Sequence, residues 1–289
     1  MKLLVLGKNG QVGSAILDAA ASTEMCAVGL GREDCDLTDE HAIRGAISGA
    51  DADVVINAAA YTAVDKAESE PSLATCVNGL APGWVADQCA SDNRLLIHIS
   101  TDFVFNGNKG APYLPSDLPA PVNVYGKSKL LGEENVIEAL PDALILRTSW
   151  IYSTIGSNFL LTMLRLLRER GQVSVVDDQI GSPTCADDIA SAIIDLALRN
   201  AKGICHYTNE GVASWYDFAL AICEDGHNLG LVPAGRLVVP IPSSEYPTSA
   251  KRPANSVLDK QEMRMLLGRD IPHWRQSLRN TLKELRENG

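Results

Sequence analysis

The side chains best suited to chemistry in this chain are a phenol, an ammonium and a hydroxyl. Tyr125 and Lys129 belong to the segment Tyr-Gly-Lys-Ser-Lys, and Thr101 stands upstream in a Ser-Thr-Asp segment. On a helix, residues four apart share a face, so the Lys129 ammonium would lie beside the Tyr125 phenol and favour its ionised form. Such a phenol can give and take a proton, which predicts a dehydrogenase that reduces a ketone. Taken alone, the pair also fits a helix that starts with a half-buried tyrosine and carries a solvated lysine.

A glycine-rich turn at the amino terminus supports the dehydrogenase hypothesis. Lys2–Leu6 reads as a short buried strand, residues 7–13 read GKNGQVG, and a segment of helical composition comes next. Gly7 and Gly10 permit a tight turn and close approach to a pyrophosphate, while Gly13 lets the helix lie near the strand. The spacing is GxxGxxG and not GxGxxG. A glycine turn without a ligand is the alternative, but the strand and helix on either side favour dinucleotide binding.

Composition and length fit one enzyme subunit. A chain of 289 residues with 46% hydrophobic content can bury one large core or two closely joined ones. No segment is long enough to span a membrane and the start lacks the features of a secretory signal, so we expect a cytoplasmic protein. The seven cysteines form no CxxC pair and suit buried free thiols. A net charge of −11 argues against nucleic acid or an anionic membrane as partner and favours a small-molecule substrate.

Apolar runs alternate with helical segments along the first half of the chain. Further strands are predicted at residues 26–31, 53–57, 95–100 and 143–147. Helices are predicted around residues 39–47, 72–91 and 128–139. Near-continuous apolar strands that alternate with helices indicate a parallel sheet covered on both faces. The predicted fold is therefore α/β, with a Rossmann-type doubly wound parallel sheet.

The pattern loosens beyond about residue 150. Helices are predicted at 158–170 and 187–199, proline-containing loops at 232–253, and a core-facing helical stripe at Trp274, Leu278, Leu282 and Leu285. We predict an NAD(P)-binding domain at residues 1–150, to which segments near 185–200 return, and a smaller, mainly substrate-binding domain at 151–289. Ligands of open α/β sheets lie beyond the carboxyl ends of the strands, so the second part would fold over that edge.

Three groups of residues stand where predicted strands end. Ala58, Ala59 and Ala60 follow one strand, and small side chains there let a flat cofactor approach the backbone. Thr101 ends another strand and Trp150 follows a third. A satisfied hydroxyl and a packing aromatic are the simpler interpretations of these two. Because Tyr125 and the glycine turn occur in the same chain, the strand-end rule favours a shared crevice.

Five sequence blocks together carry a resemblance to a known family. They start at residues 7, 57, 100, 147 and 177 and read GKNGQVG, NAAAYTAVDKAE, STDFVF, RTSW and DDQIGSPT. In this order they resemble the dTDP-4-dehydrorhamnose reductases of the extended short-chain dehydrogenase/reductase superfamily, and the resemblance covers nearly the whole chain. It implies reduction of the C4 ketone of dTDP-4-dehydro-L-rhamnose to dTDP-L-rhamnose, the last step in making this sugar nucleotide for cell-surface polysaccharide.

The resemblance also implies roles for individual residues. Tyr125 would give its proton to the developing alkoxide, Lys129 would hold the nicotinamide ribose and lower the phenol's pKa, and Thr101 would hydrogen-bond the ketone oxygen. The cofactor contacts are Gly7, Gly10, Gln11, Val12, Gly13, Asp36, Leu37, Ala60, Tyr61 and Thr62, together with Tyr125 and Lys129. The contacts to the nucleotide sugar are Thr101, Asp102, Trp150, Asn158 and Arg252.

The choice of cofactor depends on the residue after the second strand. An acidic residue there would bind the ribose 2′-hydroxyl of NADH, but this chain has Gly31 and Arg32. Arg32 favours binding of the 2′-phosphate of NADPH. The simpler interpretation is a solvated charge on a surface loop. NADH stays open as a second cofactor. Some related reductases are Mg²⁺-linked homodimers. The sequence does not assign acidic ligands for such an ion, so metal and oligomeric state stay open.

Other functions of related proteins have to be weighed. Nucleotide-sugar dehydratases carry an acidic residue directly after the Thr-Asp pair, whereas Phe103 follows Asp102 here. A reductase or 4-epimerase of another nucleotide sugar stays open, since a buried methyl group discriminates between substrates by only about 1 to 3 kcal/mol. A third alternative is non-enzymatic: the regulatory subunit of methionine adenosyltransferase resembles the same reductases. Every catalytic residue type of the reductases is retained, which favours an enzyme.

Overall fold

A parallel sheet of six strands forms the centre of the fold. The structure is a computed structural model that describes residues 1–23 and 25–288. Its strands are β1 (Lys2–Leu6), β2 (Cys26–Leu30), β3 (Val54–Asn57), β4 (Leu95–Thr101), β5 (Leu144–Thr148), β6 (Ile151–Tyr152), β7 (Gln172–Val176), β8 (Ile180–Gly181), β9 (Thr184–Cys185), β10 (Gly203–His206), β11 (Ala213–Ser214) and β12 (Leu237–Ile241). The central sheet has the order β10-β5-β4-β3-β1-β2, with all neighbours parallel.

Helices connect and cover these strands. They are α1 (Gln11–Ala21), α2 (Glu40–Ser48), α3 (Val64–Ala67), α4 (Pro71–Thr75), α5 (Ala81–Ser91), α6 (Val124–Ala139), α7 (Phe159–Glu169), α8 (Ala186–Leu198), α9 (Trp215–Asn228), α10 (Gln261–Leu267) and α11 (Trp274–Glu287). A π-helical turn, Cys76–Leu80, joins α4 to α5, and short 3₁₀ turns occur at Asp102–Val104 and Ser243–Glu245. Among the described residues, no helix combines the length and the apolar character needed to cross a membrane.

The two faces of the sheet are both buried, as the apolar strands predict. Successive side chains of a strand point to opposite faces. In β1, Leu3 and Val5 accordingly pack into a core with α1 and α8, whereas Leu4 and Leu6 pack into a second core with α2 and α5. The predicted α/β fold with a doubly wound parallel sheet is therefore confirmed. The five strands predicted for this sheet lie within one residue of their expected bounds.

Seven strands, β6 to β12, were not predicted from the sequence, and two of them show why. The first is β10, a run of four residues that pairs with the edge strand β5 and is too short to show periodicity. The second is β12, which lies within the predicted loop region 232–253, and that part of the prediction is wrong. Its Pro240 argued against a strand, but β12 pairs only with β7, and proline is tolerated on such an edge strand.

A separate apolar core lies in the carboxyl-terminal half. It combines side chains of α7, α9 and α11 with those of β7, and the predicted stripe of Trp274, Leu278 and Leu282 lies on the buried face of α11. The halves are not separate in sequence. Residues of α8, β10 and α10 return to the first core, where Met263 and Leu267 pack with α8. The division at residue 150 stays a prediction, and residue 289 of its second part lies outside the described residues.

Candidate active site

A cavity of about 700 Å³ opens at the carboxyl ends of β1, β3 and β4. Its wall comes from the glycine turn, the segments after β2 and β3, and the first turns of α6. Most of the residues predicted to bind the cofactor line it, namely Gly7, Gly10, Gln11, Val12, Arg32, Asp36, Leu37, Ala60, Tyr61, Thr62, Tyr125 and Lys129. The fold therefore brings together residues that are far apart in the sequence, as expected at this edge of an α/β sheet.

The glycine turn is packed too tightly for larger residues. Gly7 has a φ of +90°, and a Cβ atom there would lie 2.8 Å from the backbone nitrogen of Ala59. A Cβ atom on Gly13 would lie 2.1 Å from the carbonyl oxygen of Gly7, so a glycine at this position is what allows α1 to pack directly against the turn. Gly10 precedes α1 and contributes no capping side chain. The first N–H groups of α1 are thus available to an anion, and this cradle fits a pyrophosphate.

The loop after β2 carries several charged side chains. Arg32 is exposed and forms an ion pair of 3.3 Å with Asp36. Thr38 donates to Asp36 from both its backbone nitrogen and its hydroxyl, at 2.9 Å each, and these hydrogen bonds lower the pKa of the Asp36 carboxyl. An exposed pair contributes little to stability, so Arg32 is free to exchange Asp36 for another anion. Lys8, which the sequence analysis did not single out, lies in the same region and pairs with Glu33 at 3.2 Å.

Tyr125 lies in the first turn of α6, and two contacts hold this turn in place. Asn123 caps the helix by accepting a hydrogen bond of 2.7 Å from the Gly126 nitrogen. A Cβ atom on Gly126 would lie 2.2 Å from the Phe103 carbonyl oxygen, so only glycine allows this close approach. The Phe103 ring meets the Tyr125 ring edge-on at 5.5 Å. These contacts hold the phenol beside the end of β4.

Burial sets the pKa of the Tyr125 phenol in the protein without ligands. It raises this pKa to about 12, the Thr101 hydroxyl opposes the rise, and Asp102 adds to it. The Lys129 ammonium donates to the Ile99 carbonyl oxygen at 2.7 Å. The expectation that Lys129 lowers the phenol's pKa stays a prediction, and the two side chains share the cavity wall as expected from their spacing.

Lys129 itself is almost completely buried. Its exposed fraction is 2%, and burial lowers its pKa to about 8 against the opposing effect of Glu133. Its Nζ lies 3.5 Å from Nε2 of His98, and Nδ1 of His98 lies 3.3 Å from the amide nitrogen of Asn57. His98 was not among the residues predicted for the site. A single polar residue inside the apolar run Leu-Leu-Ile-His-Ile was the available signal.

Thr101 and Asp102 lie at the end of β4, next to the first turn of α6, and do not line the 700 Å³ cavity. The Thr101 hydroxyl donates to Oδ1 of Asp102 at 3.0 Å and accepts a hydrogen bond of 3.2 Å from the Phe103 nitrogen. Oδ2 of Asp102 is buried and has no hydrogen-bond partner among the described residues. Burial raises the pKa of Asp102 to about 6. An unpartnered carboxyl oxygen beside Tyr125 can accept a hydrogen bond from a substrate hydroxyl.

Trp150 lies outside the cavity, in an aromatic cluster of the second half. Its backbone has a φ of 50°, which is rare for a bulky residue and signals a constrained position. The indole stacks on Trp215 with 3.5 Å between ring centroids, and Phe159 packs against Trp215 with 4.6 Å between their ring centroids. Gly181 lies directly beneath the Trp150 ring, because a Cβ atom there would approach it to 2.4 Å.

Asn158 and Arg252 are engaged by the protein. The Asn158 amide caps α7, and its nitrogen donates to the side-chain oxygen of Gln11 at 2.9 Å. Arg252 forms an ion pair of 2.7 Å with Asp65, which also accepts a hydrogen bond from the Ala250 nitrogen at 3.0 Å. Neither side chain lines the cavity. Most residues predicted to bind the cofactor thus line one cavity, whereas the residues predicted to bind the substrate lie outside it.

The described residues offer no cluster of three or more His, Cys, Asp or Glu side chains that could hold a metal ion. The structure therefore gives no support for a Mg²⁺ site. All seven cysteines are free thiols.

Comparison with known proteins gives consistent matches. A family profile described as "RmlD substrate binding domain" matches residues 1–287. A dTDP-4-dehydrorhamnose reductase of Burkholderia thailandensis is 42% identical over 99% of both chains. Among solved structures, a dTDP-4-dehydrorhamnose reductase of Clostridium acetobutylicum has a TM-score of 0.92 at 35% identity and covers 99% of this chain and 100% of its own. The Bacillus anthracis enzyme, in complex with NADP, has a TM-score of 0.92 at 33% identity, covering 98% and 99%.

Proposed function

Because this chain belongs to the RmlD substrate binding domain family, we propose that it reduces the C4 ketone of dTDP-4-dehydro-L-rhamnose to dTDP-L-rhamnose with NADPH. Relatives that match over nearly their whole length carry the name of this reductase. The observation that carries the proposal is the position of Tyr125 and Lys129. They lie one helical turn apart on the wall of a cavity that also contains the glycine turn.

The cavity fits a nicotinamide dinucleotide. The cradle formed by Gly7 and Gly13 leaves room for a pyrophosphate at the start of α1, and Ala58 to Ala60 form a wall of small side chains after β3. When bound, such a cofactor supplies the hydride for the ketone carbon. A relative has been solved in complex with NADP. Arg32, exposed at the cavity rim beside Gly31, supports NADPH over NADH because it can pair with a 2′-phosphate.

Tyr125 is the proton donor in this proposal. As the ketone carbon gains a hydride, the carbonyl π electrons move to oxygen, which takes the proton of the Tyr125 hydroxyl. The Tyr125 hydroxyl is protonated near neutral pH, since burial raises its pKa above the ordinary value of 10, so it has a proton to donate. Thr101, whose hydroxyl donates to Asp102 in the protein without ligands, would turn this single O–H toward the same oxygen, where negative charge develops.

The remaining residues would orient the ligands. Lys129 would bind the nicotinamide ribose from its buried position on α6. Asp102, with its unpartnered carboxyl oxygen, would contact the sugar, and Trp150, Asn158 and Arg252 would lie toward the nucleotide. We further propose that residues 1–150 mainly hold the cofactor and residues 151–289 the substrate, and that the enzyme works in the cytoplasm. The seven free thiols are consistent with a reducing compartment.

The test is NADPH oxidation in the presence of dTDP-4-dehydro-L-rhamnose, generated in the same tube by the upstream dehydratase and epimerase. We expect rapid loss of NADPH absorbance and one dTDP-L-rhamnose formed for each NADPH consumed. A reaction without the epimerase is the matched control and should be slow. NADPH binding without oxidation of the cofactor would contradict the proposal. It would direct the search to another nucleotide sugar.

A further inference from the structure

A buried row of three side chains connects the central sheet to the helix that carries Tyr125. Asn57 ends β3, His98 lies inside β4, and Lys129 lies on α6. The exposed fractions are 1% for Asn57, 0% for His98 and 2% for Lys129. The amide nitrogen of Asn57 lies 3.3 Å from Nδ1 of His98, and Nε2 of His98 lies 3.5 Å from Nζ of Lys129. The row therefore ends at a lysine on the cavity wall, one helical turn from Tyr125.

The orientation of the Asn57 amide selects the tautomer of His98. The Ala59 nitrogen donates to Oδ1 of Asn57 at 3.3 Å, which turns the amide NH₂ group toward His98. Nδ1 of His98 must then accept a hydrogen bond. Burial and the neighbouring Lys129 lower the pKa of His98 well below its ordinary value, so the ring is neutral and its single proton is on Nε2. The N–H of Nε2 therefore points at the nitrogen of Lys129.

The His98 N–H interacts differently with the ammonium and with the neutral amine of Lys129. An ammonium has three donors and no acceptor, so it cannot receive the His98 N–H. A neutral amine has a lone pair that can. The other polar group at Nζ is the Ile99 carbonyl oxygen, 2.7 Å away, which can accept from either state. His98 therefore makes the loss of a proton from Lys129 easier.

The charged groups around Lys129 do not reverse this preference. On α6, Glu133 favours the ammonium, but Arg147 of β5 engages it through two hydrogen bonds of 2.9 and 2.7 Å, and Ser100 of β4 donates to it as well. The remaining titratable groups nearby are His98 on β4 and Tyr125 on α6. With the Glu133 charge paired to Arg147, two oriented dipoles face Nζ, the Ile99 carbonyl at 2.7 Å and the His98 N–H at 3.5 Å. Of these two, only the His98 N–H distinguishes the amine from the ammonium by donating to its lone pair.

We propose that His98 is a positioning residue for Lys129: held in one tautomer by Asn57, it presents an N–H to the lysine nitrogen and promotes release of a proton toward the reacting tyrosine. The proposal rests on the proposed function, in which Tyr125 loses its proton to the product oxygen in each turnover. The phenolate must then regain a proton. A lysine that gives one up readily, on the same face of α6, can supply it and be reprotonated from solvent between turnovers.

The first test uses the wild-type protein without cofactor or substrate, so its result does not depend on the proposed reaction. With uniformly ¹⁵N-labelled protein, long-range ¹H–¹⁵N correlation spectra distinguish the two neutral tautomers of each histidine, and a His98→Gln variant assigns the His98 signals. We expect the proton of His98 on Nε2 from pH 6 to pH 9. A proton on Nδ1 would overturn the proposal, because Nε2 would then accept from the ammonium and stabilise it.

The second test follows the titration of Lys129 in His98→Leu by NMR of protein labelled with ¹³C at the lysine Cε atoms. Replacing an imidazole by an alkyl group increases desolvation, which alone would lower the titration midpoint further. Loss of the N–H should instead raise it, by about one pH unit, the size of an ordinary environmental shift. An unchanged or lower midpoint would overturn the proposal.

The matched control is His206→Leu. His206 is equally buried, with 1% exposure, but its Nδ1 faces the Tyr113 carbonyl oxygen and not Lys129. This variant should lose comparable stability and leave the Lys129 midpoint where it is in the wild type. The alkaline limb of the kcat profile should move upward in His98→Leu and stay in place in His206→Leu. If His98→Leu does not fold, the tautomer measured in the wild-type protein decides the question.

Discussion

A phenol keeps its proton near neutral pH even at its ordinary pKa of 10, and burial raises the pKa of Tyr125 to about 12. Tyr125 therefore holds a proton that it can donate. The spacing of Tyr125 and Lys129 predicts an ammonium on the same helix face that would favour ionisation of this phenol. Spacing predicts which face two side chains share, but not where a flexible lysine directs its nitrogen. The Ile99 carbonyl oxygen and His98 decide that direction in this structure, and the spacing of Tyr125 and Lys129 indicates neither of them.

Replacing Tyr125 by Phe should remove the proton donor while leaving the cavity intact. We expect kcat to fall by about 10² to 10⁴, the usual contribution of a general acid, with the Kd of NADPH nearly unchanged. Fluorescence titration of NADPH and steady-state rates measure the two quantities. Turnover close to that of the wild type would exclude Tyr125 as the donor.

Asp102 should make the stability of the protein depend on pH. Its carboxyl is buried and its pKa is raised from 3.8 to about 6, so the folded state binds the proton more tightly than the unfolded state. Below about pH 4 both states are protonated and this group has no effect. As the pH rises to 6, the free energy of unfolding should fall by about 2 to 3 kcal/mol and then level off.

An Asp102→Asn variant isolates this effect, because the amide keeps an oxygen for Thr101 and cannot ionise. Urea unfolding should show the variant to be more stable than the wild type at pH 7.5 and equal to it at pH 4. If the variant and the wild type were equally stable at pH 7.5 as well as at pH 4, burial would not be raising the pKa of the Asp102 carboxyl. Improved stability with reduced activity would mark Asp102 as a residue kept for its function.

At the scale of elements, apolar patterning predicted the first five strands of the sheet and the helices between them, because buried parallel strands are continuous apolar runs. It failed for β6 to β12. Of these, β10 and β12 are defined by a partner strand and not by their own periodicity. Glycines explain part of the success at the site. The spacing of Gly7, Gly10 and Gly13 predicted a strand, a turn and a helix in close contact, and the structure has these contacts at Gly7 and Gly13.

The packing of α1 on the glycine turn can be tested with two Gly→Ala substitutions. At Gly13 the new Cβ atom would lie 2.1 Å from the Gly7 carbonyl oxygen, so the helix must move. We expect a loss of about 1 to 3 kcal/mol in the free energy of unfolding and weaker NADPH binding. Gly45, exposed in α2, is the matched control, because a Cβ atom added there would have no atom within 4 Å beyond its chain neighbours and the backbone of its own helix.

Gly45→Ala should raise the free energy of unfolding by up to about 1 kcal/mol, since alanine is the better helix former. NADPH affinity should not change in this variant. If both substitutions had the same effect on affinity, the close contact between α1 and the turn would not be what forms the cofactor site. Calorimetric titration with NADPH, together with urea unfolding, measures both quantities.

The loop after β2 should set the choice of cofactor. Removing the Arg32 guanidinium by Arg32→Ala should lower the ratio of kcat/KM for NADPH to that for NADH by about tenfold, as one exposed charge-assisted hydrogen bond to a phosphate is lost. Arg165→Ala is the control, because Arg165 is exposed on α7 in an ion pair with Glu169. An unchanged ratio in Arg32→Ala would remove this residue from cofactor selection.

At the scale of the whole molecule, one segment ties the two halves together beside the site. Residues 248–256, which we call the strap, contact α3 through Asp65, the start of α6 through Asn123, and the Gly107 loop. Long-range contacts of this kind could not be predicted from sequence, because the strap has no regular structure. Of the anchors named here, only Asp65 lies in one of the five family-like blocks, and the blocks do not give the geometry in which the anchors meet.

Loosening the strap should affect the substrate and not the cofactor. Asp65→Asn removes the charge that holds Arg252 at 2.7 Å, while keeping an oxygen for the Ala250 nitrogen. We expect KM for the nucleotide sugar to rise about two- to fivefold, in line with the energy of a partly exposed ion pair, with the Kd of NADPH unchanged. Asp142→Asn breaks an ion pair with Lys202 that lies away from the strap and should change neither value.

The place of β10 at the end of the sheet also governs how the protein can be made. While a ribosome is still producing the second half, β5 has a partner on one side only, and the apolar surface that will receive Met263, Leu267 and Ile271 is bare. Unpaired strand edges and open apolar faces invite association with other chains. The nascent protein therefore stays vulnerable until almost its entire length has been synthesised, and a fragment cut at the predicted domain boundary would inherit that vulnerability permanently.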